Sequence, residues 1–315
     1  MFNVFDKEVV SNGITLRLRN LKPNISNDYL EYLNSGGVPT ELPVVLAHGL
    51  FSNLTTWEVL GSEISNTGRD TWLIEITGGP GQDCDDCIDY TFDDLTDDYV
   101  PALLEGVLDF TGKDNLQYVG FSNGCRAALD SLERNKFDSN KVETFVAVGC
   151  PGSFEGESTA GDIIAANNGK VSQRLDSREL THISFSDLAV AGLFNVNYIS
   201  KNNKPKISLN LFKFYEDVII NKNDSQPGNI SVSNFFIIQG NAFVSDDGIV
   251  TVIDEKSIYN NTNKNLNPKR HFNIFAIHSS LDEKDRTKSI IKKSLNKEKL
   301  SLYEKTINLL NESNV

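Results

Sequence analysis

The sequence contains few cysteines, histidines and methionines, and it has no apolar run long enough to cross a membrane. Its 315 residues include 4 cysteines, 4 histidines and 1 methionine. So few cysteines exclude a small disulfide-held scaffold. Cys84 and Cys87 form a C-x-x-C, compatible with a small disulfide loop, a metal site or two unrelated thiols, but no second pair completes the four ligands of zinc. We expect a globular protein without metal, cofactor or stable membrane insertion.

Residues 1–20 also lack the basic and apolar segments of a signal peptide. We therefore expect either a cytoplasmic protein or a secreted protein whose signal has been removed. Cys125 and Cys150 bear on this choice, since they would meet if the helix after Ser122 packs beside the strand that ends at Cys150. Disulfides persist mainly in oxidising compartments, so a bridge between these cysteines would favour export.

Positive charge is scarce as well, and the formal net charge is −13 at pH 7. Nucleic acids and anionic membrane surfaces are bound through Lys and Arg, so this excess of acid argues against either as the main partner. Aspartates crowd residues 83–98 and lysines crowd residues 284–305, and we interpret each stretch as a solvated face. The oligomeric state stays open.

What the sequence does have is a series of apolar runs of strand length, separated by helical patterns. The runs are continuous rather than alternating, as parallel strands covered on both faces require. They occupy residues 42–49, 71–77, 116–122, 142–150, 234–240 and 271–278. Helices are predicted between them, over residues 92–110 with a kink or restart at Pro101, after Ser122, and over residues 288–310. This alternation predicts an α/β fold with its ligand site at the carboxyl edge of a parallel sheet.

Residues 152–233 depart from the alternation, because they separate two predicted strands by about 80 residues, far more than an ordinary crossover. The segment contains apolar helical pieces, so we interpret it as a cap or lid subdomain inserted into a core of residues 1–151 and 234–315. A cap must bury a small core of its own, but its apolar side chains would also suit a hydrophobic substrate. These side chains are Leu188, Leu193, Phe194, Phe212 and Phe214.

A serine stands between two glycines in GFSNG, residues 120–124, at the end of a predicted strand and directly before a predicted helix. A strand, a sharp turn and a helix form the setting of a nucleophile elbow. In such a turn Gly120 and Gly124 let the strand and the helix pass closely around a strained serine. We predict that Ser122 is a nucleophile.

A serine hydroxyl needs a base within hydrogen-bond reach, and the usual base is histidine. The chain offers His48, His182, His271 and His278. His182 falls in the predicted cap, and His271 and His278 lie at opposite ends of one predicted strand. Only His278 reaches the edge where Ser122 is exposed, so it is the predicted base by elimination.

The imidazole in turn needs a carboxylate that fixes its tautomer and stabilises the imidazolium. Asp246 and Asp247 follow a predicted strand that ends at the same edge. We favour Asp247, which directly precedes a glycine, over Asp246, and Glu155 or Glu157 is a more distant alternative.

Two backbone N–H groups are needed to stabilise the developing oxyanion. One is predicted at Asn123, directly after the nucleophile, and the other at Leu50, where Gly49 permits a tight bend after a strand. His48 is interpreted as a structural residue that positions this loop.

Four segments, in this order, resemble the α/β-hydrolase superfamily and, within it, the microbial serine lipases and esterases. They are HGLFSN at residues 48–53, GFSNG at residues 120–124, DDGIV at residues 246–250 and the histidine of FAIHSSLDE at residue 278. The resemblance covers residues 42–151 and 234–285. It implies a mostly parallel eight-stranded sheet flanked by helices, with the initial strands at residues 9–18. The elbow has Asn123 where many of these lipases have Gln or Met.

The resemblance implies a carboxylic ester hydrolase, an esterase or lipase with a small-molecule or lipid ester as substrate. Ser122 would form an acyl-enzyme, which a water activated by His278 would hydrolyse. Acyltransferases, thioesterases and amidases share this machinery, and a non-catalytic hydrolase-like binding protein is a further alternative. Such lipases often hold calcium through an aspartate two residues after the histidine. Ser280 occupies that position here and Asp282 comes four residues after, so no calcium is expected.

Overall fold

An eight-stranded β-sheet lies at the centre of the protein in a computed structural model. The structure describes residues 3–22, 42–66, 69–76, 89–154, 159–167, 170–184, 187–188, 206–221, 228, 230–241, 247, 249–262, 271–276, 278, 281 and 284–295. The strands are β1 (Asn3–Ser11), β2 (Ile14–Lys22), β3 (Val44–Ala47), β4 (Thr71–Ile74), β5 (Leu116–Phe121), β6 (Val142–Val148), β7 (His182–Ile183), β8 (Ile207–Ser208), β9 (Asn234–Gly240) and β10 (His271–Ile274).

The order of strands in the sheet is β1-β2-β4-β3-β5-β6-β9-β10. The pairs β1–β2 and β2–β4 are antiparallel, and every other neighbouring pair is parallel. The predicted mostly parallel eight-stranded sheet is thereby confirmed. β7 and β8 form a separate antiparallel pair.

The first two strands extend further than the predicted residues 9–18. They form a hairpin whose turn is Asn12-Gly13, with φ angles of 50° and 81°. Both turn residues therefore adopt the left-handed conformation that a tight hairpin turn requires, which Asn and Gly tolerate best. The Asn12-Gly13 dipeptide is the sequence pattern that could have predicted this hairpin and its two strands.

Helices cover the sheet on both sides, as the continuous apolar strands predict. They are α1 (Glu58–Ser65), α2 (Phe92–Asp94), α3 (Val100–Thr111), α4 (Asn123–Glu133), α5 (Thr159–Asn167), α6 (Lys170–Asp176), α7 (Leu209–Asn221), α8 (Val252–Thr262) and α9 (Asp285–Ser294). In β3, Val45 belongs to the apolar cluster that includes α3 and α4, whereas Leu46 belongs to the cluster that includes α1 and α9. None of the helices in the described part of the chain is long and apolar enough to cross a membrane.

The predicted kink before Pro101 takes the form of one π-helical segment, Leu95–Tyr99, between α2 and α3. Proline lacks the N–H that an unbroken helix needs, so the wider turn absorbs the mismatch. Upstream, the Thr91 side chain accepts a hydrogen bond from the Asp94 N–H, and the Asp94 side chain accepts one from the Thr91 N–H, so the two residues cap the start of α2 reciprocally.

The segment between β6 and β9 contains α5, α6, β7, β8 and α7 in its described parts. Glu216 of α7 accepts a hydrogen bond from the Ser172 backbone N–H of α6 at 3.2 Å, and Lys213 pairs with Asp176 at 2.8 Å. β8, directly before α7, contacts the residues before α2, because Ser208 donates to Asp89 at 2.7 Å. Leu193 and Phe194 lie outside the described residues.

Cys125 in α4 and Cys150 after β6 are joined by a disulfide across 25 residues of sequence. The bridge connects the helix that follows Ser122 to the end of the neighbouring strand, as the packing argument anticipated. Cys84 and Cys87 lie outside the described residues.

His271 begins β10, at the end of the strand away from Ser122, and its burial, together with the charge of Lys256, lowers its pKa to about 4. The unfolded chain binds a proton at this residue near pH 6.5, so acidification between these values favours unfolding. We expect this residue to remove about 2 kcal/mol of stability between pH 7 and pH 5. Urea denaturation at both pH values should show that His271→Gln loses less stability than the unmodified protein on acidification. Equal losses in the two proteins would contradict the prediction.

Candidate active site

Ser122 occupies a sharp turn between β5 and α4, with φ 52° and ψ −121°. Non-glycine residues rarely adopt this conformation, and it persists only where the surroundings enforce it, at a cost of about 1–3 kcal/mol. The two glycines of the GFSNG segment leave room for this turn because they have no Cβ. A Cβ at Gly120 would lie 2.6 Å from the Cys125 Cα, and one at Gly124 would lie 2.5 Å from the His48 carbonyl oxygen. The turn therefore has the geometry of a nucleophile elbow.

The predicted nucleophile, base and acid form a continuous hydrogen-bonded chain. Ser122 Oγ lies 2.9 Å from His278 Nε2, and His278 Nδ1 lies 2.7 Å from Asp247 Oδ2. The exposed fractions of Ser122, His278 and Asp247 are 8%, 6% and 1%, so these three residues are largely shielded from solvent. Ser122 follows β5, Asp247 follows β9 and His278 follows β10. Because the carboxyl ends of parallel strands lie at the same edge of a sheet, the topology brings these three side chains together.

Asp247 is held by the backbone of its own loop. Its Oδ1 accepts hydrogen bonds from the N–H groups of Ile249 at 3.0 Å and Val250 at 2.8 Å. The Asp247 carbonyl also accepts from the His278 N–H at 2.8 Å, which fixes the two loops to each other. This leaves Oδ2 for the imidazole. Asp246, Glu155 and Glu157, the alternative acids, lie outside the described residues.

The loop after β3 packs directly on the nucleophile. A Cβ at Gly49 would lie 2.9 Å from the Ser122 Cβ, so only glycine allows this approach. The His48 ring is fully buried, with Nδ1 2.8 Å from the Gly49 carbonyl oxygen and Nε2 2.6 Å from Glu75 Oε1. Glu75 Oε2 also accepts from the Leu54 N–H at 3.1 Å. His48 and Glu75 thus hold both ends of the loop that carries Leu50, the predicted oxyanion donor.

Comparison with solved structures supports the fold assignment. An epoxide hydrolase named CorEH matches 93% of this chain and 98% of its own, with a TM-score of 0.55 and 12% identity. An enol-lactonase from Burkholderia xenovorans matches 92% of this chain and 99% of its own, with a TM-score of 0.51 and 13% identity. The protein has the α/β-hydrolase fold. No family model matches the sequence.

At the level of sequence the protein is similar to lipases over part of its length. Gastric triacylglycerol lipase from Homo sapiens is 26% identical in an alignment of length 129, and the match covers 36% of this chain and 32% of that protein. Lipase lipl-1 from Caenorhabditis elegans is 29% identical in an alignment of length 131, and the match covers 36% of this chain and 32% of that protein. The chain therefore matches about a third of the length of these curated relatives.

Two further buried acids lie close to these side chains, and no feature of the sequence singles them out. Asp254 and Glu255, in the first turn of α8, accept hydrogen bonds from the N–H groups of Gly152 at 2.6 Å and Cys150 at 3.0 Å. They thereby fix the loop after β6. Burial raises the pKa of Glu255 well above its usual range, and the charges of Asp247 and Asp254 raise it further. Both effects disfavour the charged form of Glu255.

Asn123, the other predicted oxyanion donor, follows Ser122 at the start of α4 and is 3% exposed. Its side-chain Oδ1 accepts a hydrogen bond of 2.5 Å from the Tyr215 hydroxyl of α7. Tyr215 is a residue that sequence reasoning missed, because nothing in the helical pattern of α7 indicates which residue faces the elbow. Glu75 was missed too, although a single acid within the apolar run of residues 71–77 was a signal for it.

Proposed function

We propose that this α/β-hydrolase is a serine carboxylic ester hydrolase, an esterase or lipase that works through an acyl-enzyme. The observation that carries the proposal is the unbroken hydrogen-bond chain from Ser122 through His278 to Asp247. A hydroxyl, an imidazole and a carboxylate in this order form the arrangement that activates a serine near neutral pH. The strained backbone of Ser122 supports the same function, because such strain concentrates at functional sites.

In the first half of the reaction, Ser122 Oγ attacks the ester carbonyl carbon while its proton passes to His278 Nε2. Asp247 stabilises the resulting imidazolium through Nδ1. The carbonyl oxygen becomes an oxyanion, which the N–H groups of Asn123 and Leu50 would stabilise, each donor contributing about 3–4 kcal/mol in comparable enzymes. The bond to the alcohol oxygen then breaks, and His278 protonates the departing alkoxide.

In the second half, a water molecule takes the place of the alcohol. The water oxygen attacks the acyl carbon while His278 Nε2 accepts a proton from the water. The tetrahedral intermediate collapses, the bond to Ser122 Oγ breaks, and His278 returns the proton to the serine. A carboxylic acid leaves and the resting hydrogen-bond chain is restored.

The surroundings of the elbow support an ester with an apolar acyl group. Phe92, Phe154, Phe214 and Tyr215 form an aromatic cluster, in which the Phe92 and Phe214 rings stack at 4.1 Å between centroids. The cluster reaches the site through the contact of Tyr215 with Asn123. The lipase names of the relatives agree with such a substrate. We further propose that residues 152–233, which include α7, form a cap over this edge of the sheet.

A fluorophosphonate probe tests the proposal, because it reacts with activated serines. We expect the protein to be labelled in a gel assay and Ser122→Ala to lose labelling completely. Ser131→Ala is the matched control, since Ser131 is a fully buried serine of the same helix α4. It should retain full labelling. A protein that is folded but not labelled would support the non-catalytic alternative instead.

A further inference from the structure

Tyr215 connects the segment between β6 and β9 to the residue directly after the nucleophile. The sequence separation between Tyr215 and Asn123 is 92 residues, and the Tyr215 hydroxyl donates to Asn123 Oδ1 at 2.5 Å in a buried environment. A buried amide oxygen that loses its donor pays a desolvation penalty, so this hydrogen bond restrains the Asn123 side chain. Among the residues that the structure describes, no second partner of that oxygen is seen.

The tyrosine ring is itself fixed on several sides. Its centroid lies 5.9 Å from that of Phe92 and 6.1 Å from that of Phe154, both in edge-to-face geometry. Asp89 anchors the start of α7, because it accepts hydrogen bonds from Ser208 at 2.7 Å and from the Asn210 side chain at 3.0 Å. The hydroxyl is thus presented to Asn123 from a rigid position rather than from a freely rotating side chain.

The peptide unit between Ser122 and Asn123 carries one of the two proposed oxyanion donors. Its orientation is set by ψ of Ser122, which is −121° in a sparsely populated region, and by φ of Asn123. Such a conformation persists only when contacts on both sides enforce it. Gly120 and Gly124 pack the elbow from the sheet and from the loop after β3, whereas Tyr215 restrains the side chain of Asn123.

We propose that Tyr215 is a positioning residue for the oxyanion hole. It acts through the Asn123 side chain, so that the segment bearing α7 completes the active site. The inference rests on the proposed ester hydrolysis and adds to it a dependence on this one hydroxyl. A donor that is correctly aimed stabilises the oxyanion more than the ground-state carbonyl, so loss of the positioning hydrogen bond affects turnover rather than substrate binding.

Tyr215→Phe is the direct test, because it removes only the hydroxyl and keeps the ring in the aromatic cluster. We expect kcat for a p-nitrophenyl ester to fall about tenfold with KM changed less than twofold. The affinity of a phenylboronic acid, which forms a tetrahedral adduct with an activated serine, should fall by the same factor. The melting temperature should stay close to that of the unmodified protein. An unchanged kcat would overturn the proposal.

A double-mutant cycle tests whether Tyr215 acts through Asn123. Asn123→Ala keeps the backbone N–H but removes the hydrogen-bond acceptor. In that background Tyr215→Phe should have no further effect on kcat, whereas an additional tenfold loss would mean that Tyr215 contacts the substrate and would overturn the positioning role.

Ser122→Ala distinguishes failure of the positioning role from failure of the proposed function. If Ser122→Ala abolishes ester hydrolysis and Tyr215→Phe leaves kcat unchanged, only the positioning role of Tyr215 fails. If the unmodified protein hydrolyses no ester, both the positioning role and the proposed function fail.

Discussion

Replacement of His278 by alanine is expected to lower kcat for p-nitrophenyl ester hydrolysis by roughly four to six orders of magnitude. The imidazole Nε2 is 2.9 Å from Ser122 Oγ, and no other described histidine reaches the serine. Without this base the hydroxyl keeps its proton during attack, and the leaving alkoxide has no acid to protonate it. The ring also packs beside Phe121, with centroids 5.1 Å apart, so the variant leaves a small gap in an otherwise intact site.

His271→Ala provides the matched control for this prediction. His271 is also a histidine with a largely buried ring, but it begins β10, whereas His278 follows the opposite end of that strand. We expect its kcat at pH 8 to stay within about threefold of the unmodified value, while circular dichroism reports the same fold for both variants. Near-native hydrolysis by His278→Ala would show that another group is the base.

Six strands of the sheet, β3, β4, β5, β6, β9 and β10, and the edge where the site lies were predictable from patterns that are local in sequence, whereas the first two strands were implied only by the family resemblance. Continuous apolar runs require a sheet covered on both faces, and the carboxyl ends of parallel strands meet at one edge. That rule also predicted that Ser122, His278 and Asp247 would approach one another, which the distances now show. Their catalytic role stays a prediction.

The contacts that surround these three side chains were not predictable in the same way. The hydrogen bond from Tyr215 to Asn123 depends on how α7 packs against α2 and the elbow, and the helical period of α7 shows only that one face is apolar. The raised pKa of Glu255 was not predictable either, because Asp247 lies on a separate loop and only the fold brings the two carboxyl groups close together. Long-range packing, rather than propensity or motif, decides both.

Asp247→Asn is expected to lower kcat by roughly three to four orders of magnitude with little change in KM. The two backbone N–H groups at Oδ1 require an acceptor there, so the asparagine carbonyl should occupy that position and the amide NH2 should face His278. Two donors would then oppose each other at Nδ1. The imidazole would shift its proton to Nε2 and lose the lone pair that accepts the Ser122 proton.

Asp246→Asn makes the same chemical change one residue earlier and is therefore the matched control. We expect it to reduce kcat less than about threefold, because the hydrogen bond to His278 Nδ1 comes from Asp247 at 2.7 Å. The reverse ranking of the two variants would move the acid to Asp246, and equal small effects would mean that the imidazole works without a carboxylate partner.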